Sequence, residues 1–93
     1  MQPSDSTRRF KLLSNQKRLE VLKLLWEQSH SVSSLMGALG IEQSLLSHHL
    51  SLLRQEGLVE TARQGKEIIY SLAPSVRGKE KHSFSLGCCD IAF

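Results

Sequence analysis

Apolar residues recur at helical spacing over the first half of the chain and then shift to a strand-like pattern. On a helical wheel Leu19, Val21, Leu22, Leu25 and Trp26 fall on one side, with Lys17, Glu20, Lys23 and Glu27 on the other. Asn15 is placed to cap this helix, which the spacing carries to about Gln28. Leu24 breaks the pattern and points among the charges. A shorter helix precedes it, capped by Ser4 or Asp5 and reaching about Leu13. Ser31 caps a third helix, in which Val32, Leu35, Met36 and Leu39 form a buried stripe and which Gly40 ends. A fourth runs from about Gln43 to Gln55 and is stopped by Gly57. Two short helices joined by a glycine-containing turn read as a helix-turn-helix unit.

The next stretch has the composition of a hairpin. Residues 58–62 and 67–72 are β-rich flanks around Arg63-Gln64-Gly65-Lys66, and Pro74 closes the strand region. Beyond it Phe84 and Leu86 alternate with Ser83 and Ser85, and Ile91 and Phe93 with Asp90 and Ala92, which favours extended structure. The expected fold is therefore α+β and mainly helical. It is a winged helix-turn-helix with a two-stranded β-hairpin wing and an irregular or extended C-terminal tail. Residues 1–74 form the expected DNA-binding domain, and residues 75–93 a tail that is a candidate dimerisation or sensor segment.

The fourth helix carries the strongest functional argument. At 100° per residue, Ser44, Ser47, His48, Ser51 and Gln55 gather on one polar face. Leu46, Leu50 and Leu53 lie opposite, with Leu45 and Leu52 at the border. Surface helices commonly carry Lys and Glu pairs. A face of short neutral hydrogen-bonding side chains suits the major groove instead, where base edges offer donors and acceptors and phosphates repel carboxylates. Gln43 and Ser44 occupy the N-terminal end, which recognition helices commonly direct at bases. His48 falls on the polar face. His49 falls toward the leucines, where a hydrogen bond to the backbone is its expected role. Adjacent histidines diverge by about 100° on a helix, so they do not make a metal site. On the hairpin tip, Arg63, Gln64 and Lys66 suit phosphates or a minor groove, although such a tip is also an ordinary solvated turn.

Composition adds a few constraints. A chain of 93 residues is one domain, and its core is small enough for dimerisation to be a natural supplement. A net charge of +3 is compatible with nucleic acid without proving it. No apolar run approaches membrane-spanning length and no signal peptide is evident, so a cytoplasmic protein with no membrane partner is expected. No glycine-rich phosphate loop, nucleophile–base pair or carboxylate cluster is present, so no enzyme is expected. The rival to DNA binding is a winged helix used for protein contact. That use needs an apolar or acidic face where Ser44, Ser47 and His48 stand.

Taken together, the chain resembles the ArsR/SmtB family of bacterial repressors from about Phe10 to Leu72. The resemblance rests on residues 10–14 followed by Lys17-Arg18-Leu19, on residues 35–41, and above all on Gln43-Ser44-Leu45-Leu46-Ser47-His48-His49-Leu50. Leu53, Gly57-Leu58-Val59 and the wing from Arg63 to Tyr70 extend it. It implies a homodimeric repressor that binds an imperfect DNA palindrome and is released by an inducer. Many members bind metal or arsenite through cysteines at the start of the third helix, where this chain has Ser31 and Ser33. Many also dimerise through a long final helix, whereas here Pro74 to Lys81 contains Gly78 and no apolar stripe. Dimer contacts are therefore expected from Phe10 and Leu13 with Phe84 and Leu86, and with Ile91 or Phe93. The only soft ligands are Cys88 and Cys89, adjacent and unsuited to a disulfide with each other. Three readings stand for them: a grip on a thiophilic metal or metalloid, with His82 as a further ligand, a redox switch, or plain packing between Leu86 and Ile91.

Overall fold

Asn15 sets the start of the first long helix. In the computed structural model, which describes residues 11–86 and 90–93, its backbone is extended and its side-chain oxygen accepts the Arg18 N–H at 3.1 Å. Helix α1, Gln16–Glu27, follows and buries Val21, Leu22 and Leu25. Residues 11–13 ahead of it are also helical. Ser31 caps α2, Val32–Leu39, by accepting the Ser34 N–H at 3.1 Å. Gly40 ends that helix, and α3, Gln43–Gln55, begins three residues later. Leu35 of α2 and Leu46, Leu50 and Leu53 of α3 are fully or almost fully buried, so the two helices and α1 share one core.

The expected two-stranded hairpin wing is present, and a third, short strand adds to it. Strands β2, Val59–Gln64, and β3, Glu67–Leu72, pair antiparallel from Val59↔Leu72 to Gln64↔Glu67. On the other side of β3 lies β1, His30–Ser31, with His30 opposite Tyr70 and Ser31 opposite Ile69. Ser31 thus ends a strand and caps a helix, which ties the wing to the start of α2. The turn is tighter than expected and consists of Gly65 and Lys66 alone. Gly65 has φ +64°, the first central position that in a two-residue hairpin turn favours glycine.

The tail is extended, as its alternation indicated, but it is ordered around the core. A 3₁₀ turn, Pro74–Val76, leads to a hairpin of β4, Ser83–Ser85, and β5, Asp90–Ala92. The Trp26 indole N–H donates to the Ser83 carbonyl at 2.9 Å. Phe93 stacks on Phe84 with centroids 4.5 Å apart, and the Arg77 guanidinium lies 4.6 Å from the Trp26 ring centre. Gly78 donates its N–H to the Ser83 carbonyl, and a Cβ there would run into the Ser83 side chain. His82 adopts a left-handed backbone (φ 56°), with Nε2 2.8 Å from Glu27 Oε1 and its ring against Trp26.

This packing corrects the expected dimer contacts. Phe84 and Leu86 are 0% and 1% exposed within the single chain, and Leu13 is also buried. Their apolar surface is consumed by the subunit's own core, together with Val76, so none of it is left for a second copy. Phe10, also named in that expectation, lies outside the described residues, and Ile91 and Phe93 are partly buried. Phe84→Ala should therefore destabilise the chain by about 3–5 kcal/mol, lowering the thermal midpoint by on the order of ten degrees or more. The drop should be the same at every protein concentration. A drop that vanishes as concentration rises would put Phe84 at a subunit contact instead.

Candidate nucleic-acid interface

The apolar side of α3 determines what its other side shows. With Leu46, Leu50 and Leu53 turned inward, Gln43, Ser44, Ser47, His48, Ser51 and Gln55 are all exposed. Ser44 Oγ donates to Glu42 Oε1 at 3.3 Å. Glu42 immediately precedes the helix, so a carboxylate stands at the N-terminal edge of a face that the wheel alone shows as free of acid. The positive end of the helix dipole favours a carboxylate there.

His49 is 6% exposed, on the leucine side as expected, but its partner is a side chain and not the backbone. Arg18 Nη1 approaches His49 Nδ1 at 3.5 Å, and Arg18 Nε donates to the Leu12 carbonyl at 2.9 Å. A guanidinium has no lone pair to offer, so Nδ1 accepts and the imidazole is neutral, with its proton on Nε2. Burial lowers the His49 pKa below the ordinary 6.5, and the positive charge of Arg18 and the neighbouring His48 lower it further.

On the wing, Arg63, Gln64 and Lys66 are exposed. Arg63 and Gln64 belong to β2, where successive side chains point to opposite faces, so the two do not act as one patch. Only Lys66 is on the turn itself. It shares an open cleft of about 290 Å³ with Gln43 of α3 and with Ser31 and Ser33 at the start of α2. Val32, Met36, Glu67 and Ile68 complete the lining. The structure thus joins Lys66 to α3 through Gln43. The two serines, noted in the sequence as a cap and as replacements for cysteine, are brought into the same cleft.

Cys88 and Cys89 lie outside the described residues. His82, considered as a further ligand beside them, has its Nε2 engaged by Glu27. Among the described residues, no three or more His, Cys, Asp or Glu side chains are grouped to hold a metal ion. None of the described helices is long and apolar enough to cross a membrane.

The architecture is plain: three core helices, two of them forming a helix-turn-helix, and a β-wing define a winged helix-turn-helix protein. Residues 15–61 match the family model described as bacterial regulatory protein, arsR family, and the chain belongs to that family. It is 38% identical over 63 residues to the transcriptional activator HlyU of Vibrio cholerae, a match covering 68% of this chain and 58% of HlyU. It is 40% identical over 68 residues to the arsenical resistance operon repressor of Escherichia coli, covering 72% of this chain and 58% of that one. The chain thus spans little more than half the length of these relatives. Reduced HlyU superposes with a TM-score of 0.73 at 34% identity, over 76% of this chain and 75% of HlyU. The homodimeric winged helix-turn-helix DNA-binding domain of Mb0332 from Mycobacterium bovis superposes with a TM-score of 0.70 at 33% identity, over 74% and 64% of the two chains.

The neutral His49 has a measurable consequence. The unfolded chain takes up a proton there near pH 6.5, while the folded chain resists it until a lower pH. The stability this contributes is complete above about pH 6.5 and is lost as pH falls through the folded value. In an NMR titration His49 should have its midpoint below 6.5. Arg18→Met should raise that midpoint only part of the way, because burial is the larger cause. A midpoint at or above 6.5 would contradict the burial of a neutral ring.

Proposed function

We propose that this chain is a sequence-specific DNA-binding transcriptional regulator, acting in the cytoplasm as a homodimeric repressor on an imperfect palindrome. One observation carries the reading. The exposed face of α3 presents Ser44, Ser47, His48 and Ser51 outward, while the leucines that fix its rotation are buried behind it. These side chains donate and accept hydrogen bonds without large charge, as base edges in a major groove require. Gln43 and Ser44 take the N-terminal end of the contact, and Arg63, Gln64 and Lys66 on the wing meet the sugar-phosphate backbone. The kinship with a homodimeric DNA-binding domain supports two such faces related by a two-fold axis, and hence a palindromic site. The similarity to the arsenical resistance operon repressor and to the biofilm growth-associated repressor of Xylella fastidiosa supports repression, while HlyU carries the name of an activator. Release by an inducer belongs to the same reading, with Cys88 and Cys89 as its soft-ligand or redox input. The protein performs no chemical step of its own.

The test begins with selection of an operator from random duplexes. Ser47→Ala and His48→Ala should each weaken binding to that operator by about 1–3 kcal/mol, while the thermal midpoint stays near that of the wild type. Lys66→Ala should weaken binding to all sequences about equally and reduce the salt slope by roughly one counterion. Duplex affinity that does not fall with salt would overturn the reading and favour a protein partner for this face.

A further inference from the structure

Two large hydrophobic side chains among the described residues stand out as exposed, and both lie on elements of the proposed DNA-binding surface. Ile68 of the wing is 47% exposed and Leu45 of α3 is 42% exposed. Ile68 lines the cleft with Val32 and Met36, so apolar neighbours of its own chain account for it. Leu45 does not line that cleft and stands in the first turn of α3. At about 100° per residue it lies about 60° around the helix from His48 and about 100° from Ser44. It therefore stands at the margin of the exposed polar face, next to residues that reach base edges in the proposed function.

An exposed leucine has no hydrogen bond to offer a base. What the floor of a major groove offers an apolar side chain is the C5-methyl group of thymine. We propose that Leu45 is a specificity-determining residue that packs against a thymine methyl at one symmetry-related position in each half-site. The inference rests on the DNA-binding reading and deepens it. Ser47 and His48 select by hydrogen bonding, and Leu45 adds discrimination that hydrogen bonds do not supply. Its reach is limited to the N-terminal part of the helix, so the thymine lies near the bases met by Gln43 and Ser44.

The test uses the full chain and the selected operator. Each thymine is replaced in turn by deoxyuridine, which lacks only the methyl group, with both half-sites altered together. One symmetric pair should weaken wild-type binding by about fourfold per half-site, on the order of fifteenfold for both, the worth of one buried methyl each. Leu45→Ala should bind the thymine and deoxyuridine operators alike, and Leu45→Met, which keeps an apolar tip, should retain the difference. The wild-type series needs no variant to fold. Wild-type binding indifferent to every replacement, or an alanine variant with the full methyl sensitivity, would overturn the assignment. Failure of the DNA-binding reading looks different: no salt-dependent duplex binding is found at all, and the role of Leu45 falls with it.

Discussion

Helix α3 can offer a polar face because its opposite face is held in the core. Leu46, Leu50 and Leu53 are 0–1% exposed, against a core that also contains Leu22, Leu25, Leu35 and Leu58. Fully burying a leucine side chain is worth about 1.5–3 kcal/mol, so three on one stripe outweigh any single surface hydrogen bond. Rotating the helix by one residue would carry this stripe out of register and drive serine and histidine toward the core. The direction of Ser47 and His48 is therefore set before any partner arrives, and little ordering cost is left for the moment of contact.

Two polar links extend this rigidity to the neighbouring elements. Arg18 at the start of α1 reaches both the Leu12 carbonyl and the His49 ring of α3, bridging three parts of the chain with one side chain. Ser31 pairs in register with Ile69 of the wing and caps α2 with its hydroxyl. The hairpin is consequently anchored to the helix-turn-helix at Ile69 and Tyr70 of β3.

Features decided locally were legible in the sequence. Asn15, Ser31 and Gly40 mark helix ends because capping involves residues only a few positions apart, and the approximate bounds read for α3 coincide with its observed range. The candidate contacts on α3 and the wing are all exposed, because the wheel needs only the period and the leucines. Long-range partners were not legible. Strand β1 has two residues, too few to show a period, and it exists only because β3 lies beside it. The alternation of Phe84 and Leu86 gave their extended form but not their destination, since Trp26 is 57 positions from the Ser83 carbonyl it binds. The His49 partner is 31 positions away for the same reason. Leu45 sat on the border of the wheel, where angle alone does not separate burial from exposure.

The arrangement around Trp26 gives the protein an optical probe of its own tail. It is the only tryptophan in the chain, and its indole is bound to the Ser83 carbonyl, covered by Arg77 and flanked by His82 and Phe93. Detaching the hairpin would expose that ring to water, strip away its cationic and aromatic neighbours, and shift its emission to longer wavelength. Any chemical event between Leu86 and Asp90 that loosens the tail is thereby coupled to an intrinsic fluorescence signal, with no label attached.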